Sequence, residues 1–250
     1  MTSILSNSRA PGTIILSGEH AVVYNRPALV AAVNRYAHSS CRSTPVAGLH
    51  LSLPHEGSQA FSWDEVLSIH ATCTERYEQF LSGDLSIEQV VEDEAHFVAY
   101  AAGLLMNTFH IRPGEGFHIT VHSDIPGGCG MGSSASVAAS VFHSLAQGFG
   151  LELERERFVD YAMATEKLQH GRPSGVDPYA VVHGGCVRFQ SGKATKMPSP
   201  DLERFTFFHT GVPASTTGEC VMHVAQHFES ATIWNDFEAV TGAIQQALQD

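Results

Sequence analysis

The chain has 250 residues, and its 26 acidic side chains outnumber 14 lysines and arginines to give a formal net charge of −12. That balance argues against nucleic acid or an anionic membrane surface as the partner. With 43% hydrophobic residues and no apolar run near the roughly 20 residues a membrane span requires, the composition predicts a soluble chain, long enough for one large core or two smaller ones. Met1–Ala10 carries no apolar signal core, and five cysteines form no CxxC pair and are odd in number. Both points predict a cytoplasmic protein with reduced thiols.

Taken in chain order, an apolar run at Ile14–Leu16 predicts a buried strand within a strand region that extends to about Arg42. That run ends in Gly18-Glu19-His20, a bend that sets a carboxylate and an imidazole at a strand end. Trp63, Val66, Leu67, His70, Cys73, Tyr77 and Phe80 repeat at helical spacing, as do Ile87, Val90, Val91, Val98 and Leu105, and such a stripe reads as core. Phe117, Ile119 and Val121 alternate with His118, Thr120 and His122, a strand with one wet face. It leads into DIPGGCGMGSSAS (Asp124–Ser136), after which small residues continue in a helical pattern. A further helical stretch breaks at Gly171 and Pro173, with Asp177 on the turn beyond. Lys193–Glu203 is the most linker-like segment, Phe205–His209 reads as a buried strand and Ser230–Leu248 as a helix.

The glycine-rich stretch carries the most chemistry. Gly127, Gly128, Gly130 and Gly132 leave the backbone free of Cβ atoms, so its N–H groups can turn inward around a polyanion. Ser133 and Ser134 fall where the helix begins, with N-cap chemistry and the positive dipole end at hand. The loop lacks the Gly-Lys-Ser/Thr ending of the Walker A motif and the spacing of a dinucleotide fingerprint. No basic residue lies between Asp124 and Phe142, so charge on a bound phosphate must be met by backbone dipoles, a metal ion or residues elsewhere. Glu166 follows Val159, Ala162 and Met163 at helical intervals, so its carboxylate points inward and needs a partner, of which a metal is one. Glu166 and His170 stand four apart, but no third residue is spaced to complete a transition-metal site. An Asp before Pro in a Gly-Ser turn, as at Asp177, is by itself ordinary turn chemistry.

Three strings together resemble the GHMP small-molecule kinases: PGTIILSGEHAVVY (Pro11–Tyr24), PGGCGMGSSAS (Pro126–Ser136) and HGRPSGVD (His170–Asp177). The last string is most similar to the mevalonate-kinase branch of that family. ALVAAVNRY and HTGVPASTTGECV fit as well, so the resemblance runs through nearly the whole chain. It implies an α+β fold: an N-terminal mixed α/β nucleotide-binding domain of the ribosomal-protein-S5-domain-2-like type over residues 1–195, and the start of a ferredoxin-like C-terminal domain over 196–250. It implies ATP as co-substrate, Mg²⁺ as cofactor, phosphorylation of the 5-hydroxyl of mevalonate or a similar small molecule, and assembly as a homodimer. By the same resemblance Asp177 is the catalytic base, Gly127, Gly128, Gly130, Gly132, Ser133 and Ser134 hold the ATP phosphates, and Ser134 and Glu166 hold the metal. Glu19, His20 and Thr216 face the acceptor.

Three departures from the family pattern stand out. Thr13 occupies the position of a lysine beside the catalytic Asp, and Thr217 follows Thr216 where a cation is usual. The C-terminal glycine-rich motif of the family is missing, which reads as truncation. Arg172, inside HGRPSG, is a cation that the reading sends to the γ-phosphate in place of the lysine. A non-catalytic nucleotide-binding homologue, or a kinase of another small hydroxylated acid, stays open beside the mevalonate reading.

Overall fold

The structure, a computed structural model, describes residues 4–54, 56–171, 173–198, 205–208, 211, 217–228 and 232–248. Strand β1 (Ile4–Ser17) pairs antiparallel along nearly the whole of β2 (Ala28–Thr44), and a 3-10 turn at His20–Tyr24 joins them. The other edge of β2 is shared. Its C-terminal half pairs with β5 (Gly116–Ser123) and its first residues with β6 (Cys186–Gln190), both antiparallel. Outside β5 lie β3 (Gly48–Leu53), paired parallel, and β4 (Gly57–Phe61); outside β6 lies β7 (Lys193–Met197). The result is one mixed seven-stranded sheet.

Five helices alternate with these strands in the chain: α1 (Trp63–Ser82) and α2 (Glu94–Thr108) before β5, and α3 (Ser133–Gly148), α4 (Arg155–His170) and α5 (Val176–His183) between β5 and β6. The alternation read in β5 holds, since Phe117, Ile119 and Val121 enter a core with Leu49, Leu51, Val66, Val98, Leu105, Val141, Phe142 and Leu145. Thr120 and His122, on the other face, are exposed. No helix among the described residues is long and apolar enough to cross a membrane.

Local chemistry sets the helix ends. Ser62 and Glu65 form a reciprocal capping box at the start of α1. The second apolar stretch is not a single helix: a short 3-10 turn at Ile87–Gln89 comes first, and α2 starts afresh because Asp93 accepts the His96 N–H at 2.8 Å. Glu56, from the β3–β4 turn, accepts the N–H groups of Glu94 and Ala95 at 2.7 and 3.0 Å, tying the front of α2 to the sheet. Helices α1 and α2 cross at Gly103, where an added Cβ would stand 2.6 Å from His70 Cβ and 2.9 Å from the Val66 carbonyl. Gly103→Ala is therefore expected to force the helices apart at a cost of about 1–3 kcal/mol, read as a melting temperature lower by several degrees; an unchanged value would show that this crossing relaxes freely.

Beyond the core, two expectations are corrected. The first half of the linker-like segment is β7, paired with β6. Its Lys193 and Lys196 look like linker polarity, but lysines are also what an edge strand uses to discourage further pairing. Residues 205–208 form no strand: Phe208 is 83% exposed, and among the described residues no strand lies beside it; His209 is outside the described residues. Two helices complete the chain, α6 (Thr217–Phe228) and α7 (Ile233–Ala247), the latter matching the helix expected there. Helix α7 docks on the β1–β2 connection: Trp234 stacks on Tyr24 with ring centres 4.3 Å apart, Thr241 shares a 2.8 Å hydroxyl bond with Ser17, and Arg26 reaches Asn235 and Glu238. The turn that carries Glu19 and His20 is thereby braced from below.

Candidate active site

The C-terminal half of β1, the glycine loop and the starts of α3 and α5 meet around one point. The Thr13 N–H donates to the Met131 carbonyl at 2.9 Å, and the Ser136 hydroxyl donates to the Pro11 carbonyl at 2.7 Å, so the loop is stapled to β1. Gly132 has φ +59°, and a Cβ there would overlap the Thr13 hydroxyl and lie 3.2 Å from Asp177 Oδ1. Only glycine fits, on both conformational and steric grounds. Gly132 is also the N-cap of α3, and no side chain caps that helix. This corrects the expectation for Ser133 and Ser134, which are the first two residues inside α3. The chain reaches φ > 0 just before the helix, so the capping position falls to the residue without a Cβ.

A cavity of about 840 Å³ opens over this point, lined by Glu19, His20, the loop from Ile125 to Ser134, Glu166, His170 and Asp177. Leu53, Phe97 and Val98 form an apolar wall; the sequence hides this because the α2 periodicity that buries one face also supplies the wall. Glu166, on α4, is 5% exposed, and its Oε1 has no hydrogen-bond partner. Burial pushes its carboxyl up to about 7; a bond from Ser134 opposes the shift and the charge of Asp177 adds to it. His170 Nε2 stands 3.3 Å from Ser134 Oγ and 3.7 Å from Glu166 Oε2. Asp177, in the first turn of α5, accepts the Thr13 hydroxyl at 2.7 Å through Oδ1. Burial raises its pKa, the Thr13 bond opposes this, and the charge of Glu19 adds to it.

Most of the residues singled out in the sequence thus line one cavity: Glu19, His20, the four glycines, Ser133, Ser134, Glu166 and Asp177. Arg172 and Thr216 lie outside the described residues. Among the described lining residues there is no lysine or arginine, while Glu19, Glu94, Glu166 and Asp177 are all acidic. A polyphosphate held here needs a cation. The Ser134 hydroxyl and the buried, unpartnered Glu166 oxygen are hard donors of the kind Mg²⁺ accepts from protein, with water and phosphate completing its shell. Among the described residues no cluster of three His, Cys, Asp or Glu side chains forms a metal cage, so the Glu166–His170 pair stays without a third ligand. The Thr13–Asp177 bond had no sequence signal beyond the departure at position 13.

Residues 96–185, which carry the glycine loop, Glu166 and Asp177, match the family model described as GHMP kinases N terminal domain. That stretch, like the relatives below, makes the chain similar to the GHMP kinases. Among them the similarity is to mevalonate kinases. The chain is 30% identical over 221 residues to mevalonate kinase of Thermococcus gammatolerans, covering 83% of this chain and 58% of the relative. It is 29% identical over 236 residues to that of Bos taurus, covering 83% of this chain and 59% of the relative. The chain therefore spans somewhat under two thirds of the length of these relatives. The fold is that of the Methanococcus jannaschii mevalonate kinase, with a TM-score of 0.79 at 22% identity over 98% of this chain and 73% of the other.

Proposed function

We propose that the chain is a small-molecule kinase that transfers the γ-phosphoryl group of ATP to the 5-hydroxyl of mevalonate in the cytoplasm. One observation carries the reading: an uncapped helix start behind a glycine loop, a half-buried serine beside a buried glutamate, and a half-buried aspartate all line one cavity. Phosphoryl transfer requires little else than phosphates held in line, charge dispersal and a group to receive the acceptor proton. In this reading the loop N–H groups and the α3 dipole hold the phosphates. Ser134 and Glu166 would hold Mg²⁺, which when bound disperses phosphate charge. Asp177 receives the hydroxyl proton, because one of its oxygens is committed to Thr13 and the other is free to accept. Glu19 and His20, on the braced turn after β1, face the acceptor with Thr216 as a further contact, and Arg172 reaches the γ-phosphate. The division into a nucleotide domain over 1–195 and the start of a second domain over 196–250 belongs to the same proposal.

A second reading, a homologue that binds nucleotide without turning it over, draws on Thr13 and on the absence of lysine and arginine among the described lining residues. ADP release from Mg-ATP, measured with mevalonate and with phosphomevalonate, homoserine and galactose as controls, separates them. Mevalonate-dependent turnover supports the kinase. Turnover on a different acceptor replaces the substrate, and nucleotide binding with no turnover on any acceptor replaces the class.

A further inference from the structure

The residue at position 13 is more than a missing cation. Thr13 is fully buried in the interior of β1, where it pairs with Ala32 of β2, so its backbone has no freedom of its own. Its N–H holds the glycine loop through the Met131 carbonyl at 2.9 Å, and its hydroxyl holds Asp177 Oδ1 at 2.7 Å. A Cβ at Gly132 would overlap the Thr13 hydroxyl and crowd Asp177, so the three residues meet closely. One residue therefore ties the strand, the loop and the carboxylate together.

We infer that Thr13 is a positioning residue: it fixes the rotation of the Asp177 carboxylate relative to the glycine loop, and does so without supplying charge. This rests on the phosphotransfer reading above. The second torsion of an aspartate is broad and roughly two-fold, so an unheld carboxylate swings. A hydroxyl bond to a carboxylate oxygen is of the short, charge-assisted kind, and 2.7 Å fits it. With Oδ1 held, the rotation of the carboxylate is fixed in a residue that lines the cavity. A lysine would hold the carboxylate too, but would also add a positive charge beside the transferring group. Here that charge has no source at position 13, so orientation and charge dispersal are separate tasks carried by different residues.

Three variants test this. Thr13→Val keeps the shape and suits a strand but removes the hydroxyl; Thr13→Ala does the same if valine disturbs the fold; Thr13→Ser restores the hydroxyl. Misplacement of a reacting group by about 1 Å costs on the order of 10²-fold. The expected result is a fall in kcat of about 10- to 100-fold in the valine or alanine variant, with KM for ATP and acceptor within about threefold, and recovery in the serine variant. A readout independent of turnover is the carboxyl carbon resonance of Asp177 in protein labelled at aspartate. Its titration is expected to move upward by about half a unit or more when the stabilising hydroxyl is lost, and to return with serine. An unchanged kcat, a loss carried by KM alone, or an Asp177 titration that does not move overturns the inference. If the natural chain turns over no acceptor, the phosphotransfer reading fails, and the titration alone decides whether Thr13 holds the carboxylate.

Discussion

Asp177→Asn is expected to lower acceptor-dependent ADP release by about 10²- to 10⁴-fold, the range a positioned base contributes, with Mg-ATP affinity changed only a few-fold. The substitution isolates one property. Asparagine has nearly the same shape and its Oδ1 can still accept the Thr13 hydroxyl, which stands at 2.7 Å. What changes is the other terminal atom, which becomes an amide nitrogen that donates and cannot receive a proton. The pH dependence follows from the same burial. An ordinary aspartate titrates near 3.9, and burial of Asp177 raises it above that value. On the proposed role Asp177 accepts a proton only when ionised, so kcat should fall as pH drops through the raised pKa. The acid limb therefore begins at higher pH than an exposed aspartate would give. The asparagine variant should lack this limb along with most of the rate. Retention of more than about a tenth of the natural rate would remove Asp177 from the role of base.

Much of this site was legible because its chemistry is written in contiguous strings. The glycines of the loop, the inward spacing of Glu166 along α4 and the turn before Asp177 are local features, and local geometry follows local sequence. The family resemblance puts position 13 beside Asp177, but the residues alone do not, because that contact joins distant parts of the chain. Thr13 and Asp177 are separated by 164 positions yet share a hydrogen bond; only the pairing of β1 with β2 and the packing of α3 and α5 on β1 bring them together. The N-cap of α3 departs from the serine expectation for a different reason. Serine is the stronger capping residue in general, but the approach of the loop with φ > 0 at Gly132 gives that position to glycine. The C-terminal errors have one cause. Apolar or lysine-rich composition says how polar a segment is, not whether a partner strand lies beside it, so β7 looks like linker and residues 205–208 look like strand from sequence alone.

Glu166→Gln is expected to stabilise the ligand-free protein while disabling the enzyme. The Glu166 carboxyl titrates at 4.5 when exposed and is pushed up to about 7 in the folded chain, first by burial. Both states are protonated below 4.5, so the fold carries no penalty there. As pH rises from 4.5 to about 7 the unfolded chain ionises first, and the folded state loses stability through that window. Above it the ligand-free fold carries a buried negative charge with one oxygen, Oε1, lacking a partner, and the full shift corresponds to about 3 kcal/mol. The neutral amide of glutamine escapes that charge penalty and bears only the smaller cost of a buried polar group. At pH 8 the variant should thus melt several degrees above the natural chain, and the gap should close near pH 4. Adding Mg-ATP at pH 8 should reverse the order, since only the carboxylate offers a charged oxygen to the cation, and turnover in the variant should fall by at least about 10²-fold. Equal melting temperatures at pH 8 without ligand would mean that the Glu166 charge is already compensated. The argument that its free oxygen is kept for a metal would then fail. A site that is strained when empty and relieved when filled is the expected signature of a carboxylate retained for binding rather than for folding.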